Sequence, residues 1–401
     1  MDQLSLMREL SFQTDAKIIM VVLDGLGGLP HPGTGKTELE TAHTPYLDAL
    51  AATGICGLSD PVMPGVTPGS GPGHLGLFGY DPIKHVIGRG VLEALGIDFD
   101  LRPGDVAARG NLCTLDENGI ITDRRAGRVA TEKSRQLAAS LNGMEIDGVQ
   151  IIVEPVKDHR LVAVFRGEGL SAALTDSDPQ RAGIAPQRVT AQEKTAERTA
   201  IVANRFLERA GEILSGHHPA NGLLLRGFSE KPNFPSFSDV YKLRSCAIAS
   251  YPMYRGLAKV VGMTVVQTGP TLADEITSLK ANYDKLDFFF IHIKATDAAG
   301  EDGDFDRKVS GLEEFDMILP QITSLEPAVL LVTGDHSTPA VLGGHSWHPV
   351  PVVLKGRYCR PDPVTSFNET ACIVGGLGRL LACHLMPLAM ANALKLEKYG
   401  A

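Results

Sequence analysis

Four apolar runs constrain this chain of 401 residues more than any other feature: "IIMVVLDG" from Ile18, "DFFFIHIKATD" from Asp287, "AVLLVTGDH" from Ala328 and "VPVVLKG" from Val350. A near-continuous apolar run with no polar alternation cannot leave one face in water, so each reads as a strand covered on both faces, the pattern of a parallel sheet. Parallel strands need crossover connections, and helical patterns supply them. "TPYLDALAATG" follows the first run, "DRKVSGLEEFDMILPQIT" the second, and "ETACIVGGLGRLLAC" stands toward the end. The alternation predicts an α/β fold built on a doubly wound, mostly parallel sheet.

The middle of the chain differs in character. "NLCTLDENGIITDRRAGRV", "VQIIVEPVKDHRLVAVFRGEGL" and "NGLLLRG" read as shorter strands joined by polar turns, and the helical stretch "AQEKTAERTAIVANRFLERAGEIL" precedes the last of them. These segments predict an inserted α+β domain at 105–235, carried by a discontinuous core domain at 1–104 and 236–401. With 43% hydrophobic and 21% charged residues, the chain can bury two cores of this size.

Charge and composition narrow the partners. A net charge of −9 gives no basic excess for a nucleic-acid backbone, so the expected partner is a small molecule. No apolar run approaches bilayer length, and the N-terminal "MDQLSLMRELSFQTDAK" carries acids where a signal peptide would be basic and then apolar. The six cysteines include no C-x-x-C pair and read as reduced thiols, which together place the expected protein in the cytoplasm, away from nucleic acid and membrane. Nothing in the sequence sets an oligomeric state. "GTGKT" at Gly33 matches the end of a P-loop, but Pro30 stands where that motif needs its first glycine.

In open parallel sheets, ligands bind beyond the carboxyl ends of the strands. Three of the expected strands end there in acids, Asp24, Asp297 and Asp335. One such acid often only caps the next helix. Here, however, "VTGDHSTPAVLGGHSWHPVPVVL" adds His336, His345 and His348, three of the chain's 12 histidines within 13 residues. Carboxylate with neutral imidazole is a ligand set for Zn²⁺ and Mn²⁺, and the combination points to two divalent ions at the top of the sheet. Ser70, in "TPGSGPGHLGLFGYDP", lies among glycines before a helix start, where backbone N–H groups favour an anion. A metal would lower the pKa of that hydroxyl and make it a nucleophile.

The succession "VVLDG", "PGSGPGHLGLFGYDP", "GRGVLEALG", "RGNLCTL…ITDRRAGR", "LLLRG", "TDAAGEDGD", "TGDHSTP" and "GHSWHPVPV" resembles the archaeal-type cofactor-independent phosphoglycerate mutases of the alkaline phosphatase superfamily, from about Lys17 onward. The resemblance implies a glycolytic isomerase that interconverts 3-phosphoglycerate and 2-phosphoglycerate, with Ser70 as the catalytic phosphoryl carrier and no 2,3-bisphosphoglycerate. It implies one metal held by Asp24, Ser70, Asp335 and His336, and a second held by Asp297, the residue at 301 and His345. Many relatives have histidine at that position, and this chain has Glu301. A harder carboxylate shifts the expected metal toward Mn²⁺ or Mg²⁺ and away from Zn²⁺, with Mn²⁺ the first expectation and His348 a possible substitute ligand. A substrate bearing a phosphate and a carboxylate calls for arginines, and the inserted domain offers Arg124, Arg125 and Arg128 beside Asp123, with His159, Arg160 and Arg226. The same machinery with another acceptor is the alternative: a metal-dependent phosphatase, or a phosphotransferase to another small alcohol, as proposed for homoserine kinase-like relatives.

Overall fold

The computed structural model describes residues 1–400, which divide into two compact units. One comprises Met1–Val86, Phe234–Tyr251 and the chain from Val261 onward; the other comprises Ile87–Asn233 and Pro252–Val260. The first unit opens with β1 (Ile18–Leu23) and β2 (Ile55–Asp60). The second contributes β3 (Val106–Leu115), β4 (Ile121–Asp123), β5 (Met144–Ile146), β6 (Val149–Lys157), β7 (Arg160–Arg166) and β8 (Gly222–Ser229). The chain then returns to the first unit with β9 (Ser245–Ile248), β10 (Thr264–Val266), β11 (Phe288–Ile293), β12 (Val329–Thr333), β13 (Val350–Gly356) and β14 (Gly378–Leu381).

In the first unit eight strands lie in the order β10-β9-β11-β1-β12-β13-β2-β14. The strand β1 is parallel to both β11 and β12, and every residue of these three strands is buried. Helices cover both faces, as the apolar runs require. Leu47 and Leu50 of the helix Pro45–Ala51, and Leu312, Phe315 and Leu319 of the helix Phe305–Thr323, pack on Ile19, Val21, Ile291 and Val332. On the other face, Phe290 meets Phe78 edge-on at 4.9 Å, and Phe288 lies 4.8 Å from Phe237.

Two sequence expectations differ from this sheet. The run at Val350 is antiparallel to both of its neighbours, β12 and β2, because the long loop at 334–349 returns the chain without a crossover helix. "ETACIVGGLGRLLAC" is not one helix: it is the short helix Glu369–Cys372, a turn, and the edge strand β14. Glycine explains this. Gly375 lies so close to β2 that a Cβ there would stand 2.2 Å from the Cys56 carbonyl oxygen, and Gly378 has a φ of 65° that ends any helix.

The second unit has a six-stranded sheet in the order β4-β3-β7-β6-β5, with β8 paired to β3. The helices Thr131–Leu141 and Glu197–Leu214 bury Leu137, Val202 and Phe206 against Ile151 and Phe165 on one face. The helix Arg89–Gly96 covers the other face, placing Val91 and Ala94 against Ala107, Val162 and Val164. This helix lies outside the expected 105–235 insertion, and so does its partner helix Pro252–Val260. Their backbones approach so closely that a Cβ on Gly256 would lie 2.1 Å from the Leu92 carbonyl oxygen. That contact ties two segments about 160 residues apart into one unit.

In the first unit a similar approach presses the helix Ser70–Leu77 onto the chain leaving β12. A Cβ on Gly73 would sit 2.2 Å from the Asp335 carbonyl oxygen. Gly73→Ala should therefore destabilise the first unit by about 1–3 kcal/mol, despite alanine's better helix propensity. Urea denaturation followed by circular dichroism measures this, and equal or greater stability in the variant would contradict it.

Candidate active site

The strands β1, β11 and β12 end side by side, and each delivers an acid at or just beyond its carboxyl end. Asp24 and Asp335 are wholly buried and Asp297, in the first turn of the helix Ala295–Glu301, is 1% exposed. His336 is wholly buried among them. Its Nε2 lies 3.1 Å from Asp335 Oδ2, 3.3 Å from Asp24 Oδ1 and 3.3 Å from Ser70 Oγ. Ser70 is the first residue of its helix and follows Pro68 and Gly69, so its hydroxyl stands at the positive end of the helix dipole.

Two groups have the donors and spacing to hold a metal ion: Asp24, Asp335 and His336, and Asp297, His336 and His345. His336 is common to both, and its ring stacks on that of His345 with centroids 3.7 Å apart. His345 Nδ1 donates to the Pro68 carbonyl oxygen at 2.9 Å, since a carbonyl can only accept. Nε2 of His345 faces Asp297 Oδ1 at 3.5 Å. Glu301, with a side chain 53% exposed, stands at the rim 3.8 Å from His345 and belongs to neither group. His348 also lies in neither; it approaches the Ser346 hydroxyl at 3.1 Å and stacks on Trp347.

The residues present fit a divalent ion. Buried carboxylates that repel one another need cations or strong hydrogen bonds to remain ionised. Asp335 Oδ2 accepts no well-directed hydrogen bond, although His336 and His74 both lie 3.1 Å away. Burial opposes charge on His336, but Asp335, Asp24 and Asp297 raise its pKa to about 9. Burial and Asp335 push Asp24 upward, yet Lys294 and His292 hold it below the usual carboxylate range. The mixed oxygen and nitrogen donors suit the borderline and harder divalent cations.

Three residues that sequence reasoning did not single out complete this network. His74, four residues after Ser70 on the same helix face, approaches the Ser70 carbonyl oxygen at 2.8 Å as well as Asp335. His292, the one polar residue of β11, reaches Asp24 Oδ2 at 3.1 Å. Lys294 Nζ donates to Asp24 Oδ2 at 3.0 Å and also to Asp297 Oδ2, so one cation joins acids from both groups. An imidazole in an otherwise apolar strand was the readable signal for His292.

In the second unit the expected cations separate. Arg124 makes a two-pronged bond to Asp178 at 3.0 and 2.7 Å, while Arg125 and Arg128 are exposed on a turn that Asp123 caps through the Arg125 and Gly127 N–H groups. Arg226 donates to Gln180 at 3.2 Å. The denser concentration of charge lies around Arg109, which is 8% exposed and bonded to Asn111 at 3.2 Å. Burial and then Arg109 depress the pKa values of Arg89, which falls to about 10, and of Arg226 and Arg160. His159 is lowered to about 3 by burial, Arg160 and Arg109, and is therefore neutral. Glu93, buried 3.6 Å from Arg109, offsets part of this charge, and mutually destabilised arginines of this kind are candidates for binding an anion. Arg89 and Arg109 were not anticipated from sequence, since neither stands in an arginine-rich stretch.

Comparison with known proteins decides the family. Residues 51–221 match the family model described as 2,3-bisphosphoglycerate-independent phosphoglycerate mutase. A relative from Thermus thermophilus named "Probable 2,3-bisphosphoglycerate-independent phosphoglycerate mutase" is 50% identical over 406 residues, covering 100% of both chains. The chain belongs to this phosphoglycerate mutase family. A Deinococcus radiodurans mutase with the same name is 50% identical over 408 residues, again covering 100% of both chains. Among solved structures, a Pyrococcus horikoshii protein has a TM-score of 0.83 at 29% identity, covering 97% of this chain and 100% of that one. The cofactor-independent phosphoglycerate mutase of Thermoplasma acidophilum has a TM-score of 0.68 at 31% identity, covering 94% of this chain and 100% of that one. Both solved structures match this chain over nearly its whole length.

Asp335→Asn removes a charge from the Asp24, Asp335 and His336 group while keeping its shape. It should weaken Mn²⁺ binding by more than roughly tenfold. Elemental analysis after equilibrium dialysis measures the retained ion, and a stoichiometry and affinity equal to the parent's would contradict the metal assignment.

Proposed function

We propose that this chain interconverts 3-phosphoglycerate and 2-phosphoglycerate without 2,3-bisphosphoglycerate, using Ser70 as the phosphoryl carrier. The observation that carries this reading is the Ser70 hydroxyl, at a helix N-terminus and 3.3 Å from the imidazole shared by both ligand groups. Asp24, Asp335 and His336, with Ser70, would hold one divalent ion, and Asp297 and His345, with Glu301 at the rim, the other. When bound, these ions lower the pKa of the serine hydroxyl and neutralise charge on the phosphoryl oxygens. The carboxylate-rich donor set favours Mn²⁺ or Mg²⁺ over Zn²⁺.

Ser70 Oγ bonds to phosphorus as the ester bond to one glycerate oxygen breaks, and that oxygen takes up a proton. The other glycerate hydroxyl then attacks phosphoserine, loses its proton, and frees the serine. Between these steps the glycerate must not escape. We assign that retention to the second unit, where Arg89, Arg109, Arg160 and Arg226 pair with carboxylate and phosphate oxygens, rather than to the exposed Arg125 and Arg128. Six free cysteines, five of them buried, agree with a reducing cytoplasm, and no helix among the described residues is long and apolar enough to cross a membrane.

The test is an assay with 3-phosphoglycerate and Mn²⁺, without added bisphosphoglycerate. The parent should form 2-phosphoglycerate, and Ser70→Ala should lose at least about 10³-fold in kcat, as variants lacking a nucleophile do. Arg160→Ala should slow the mutase reaction and raise the share of phosphoserine lost to water, read as free phosphate. Substantial mutase activity in Ser70→Ala would refute the carrier assignment, and an unchanged product partition in Arg160→Ala would refute its role in retention.

A further inference from the structure

Thr338, in the "DHSTP" turn after β12, touches both ligand groups with one oxygen. Its Oγ1 is 2.7 Å from Asp297 Oδ1 and 2.9 Å from His336 Nδ1. The first contact fixes the second. A carboxylate can only accept, so the single hydroxyl proton of Thr338 goes to Asp297. The same oxygen must then accept from His336, whose Nδ1 therefore carries a hydrogen. The remaining nitrogen, Nε2, is the atom that faces Asp24, Asp335 and Ser70. We infer that Thr338 is a positioning residue, whose hydroxyl fixes the His336 tautomer and holds His336 and Asp297 as one unit serving both metal positions.

The surroundings of Thr338 are built to keep that oxygen in place. Its backbone N–H donates to the Gly27 carbonyl oxygen at 3.0 Å, and its own carbonyl accepts from Lys308 Nζ at 2.9 Å. The same ammonium donates to the Gly27 carbonyl oxygen at 2.9 Å. Lys308 is wholly buried on the helix Phe305–Thr323, so a charged side chain is removed from water to tie the chain after β1 to the chain after β12. Glu38, also wholly buried, lies 3.8 Å from Lys308 and accepts from the Ala340 N–H at 2.7 Å, just beyond Thr338. Glycines close the remaining sides. A Cβ on Gly25 would stand 2.6 Å from Thr338 Oγ1, and one on Gly300 2.2 Å from the Thr338 carbonyl oxygen. Burying an ammonium is unfavourable unless its hydrogen bonds are well directed, and here they are directed at the turns that carry the ligands.

This inference rests on the reading of the two groups as metal positions. Thr338→Val keeps the side chain's shape and removes its hydroxyl, whereas Thr338→Ser restores the hydroxyl. Calorimetric titration with Mn²⁺ should show the valine variant weakened by about 10–100-fold, the magnitude typical of a lost outer hydrogen bond, with the serine variant close to the parent. Nitrogen-15 NMR of the Mg²⁺-loaded parent, with the signal assigned by its loss in His336→Gln, should show the ring proton on Nδ1. Parent-like Mn²⁺ binding in Thr338→Val, or a proton-free Nδ1 in the parent, would overturn the inference. The NMR measurement decides even where the valine variant does not fold. A parent that binds no divalent ion would instead overturn the underlying metal reading.

Discussion

Asp24, Asp297 and Asp335 are held out of water around a single imidazole, and much else in the first unit is arranged to make that possible. Two carboxylates about 4 Å apart repel by roughly 4 kcal/mol at an effective dielectric constant of about 20, so the cluster is unfavourable without compensating charge. His336, Lys294, His74 and His292 each reach one or more of these acids, and two of the four are wholly buried. Burial thus works against every charged member taken singly and is tolerated because the members hold one another. A divalent ion in either group would answer the same electrostatic demand more strongly.

That demand explains where the backbone has no freedom. The acids sit at strand ends, so the strands must be parallel neighbours, which requires the two-sided burial seen in β1, β11 and β12. The helix that carries Ser70 must reach the same point, and Gly73 allows it to lie against the Asp335 backbone. Lys308 then joins the turns after β1 and β12 from beneath. The contacts that pack this unit are therefore also those that place Ser70, Asp24, Asp335 and His336 together.

Much of this was legible in the sequence, because two-sided burial leaves an unambiguous apolar run and because acids beyond such runs share one end of the sheet. The chain direction of β13 was not, since an antiparallel strand covered on both faces has the same composition as a parallel one. The strand β14 was hidden inside a stretch with helical spacing, where the close approach of Gly375 to Cys56 decides the outcome. Asp24, Asp335, His336, Asp297 and His345 announced themselves by residue type and position. His74, His292 and Thr338 did not, because their roles depend on what lies beside them in space. The arginines of the second unit show the same limit: "TDRRAGR" is dense in sequence, yet Arg125 and Arg128 are exposed, while the concentrated charge gathers around Arg109 from four separate segments.

The proposed reaction places the phosphoryl group on Ser70 Oγ during each turnover. Rapid acid quenching of the Mn²⁺-loaded enzyme during turnover of 3-phosphoglycerate, followed by peptide mass spectrometry, locates that group directly. Phosphate on the peptide that contains Ser70, appearing within one turnover and disappearing when substrate is exhausted, is the predicted result. Turnover with an unmodified Ser70, or with phosphate on a different side chain, would contradict it.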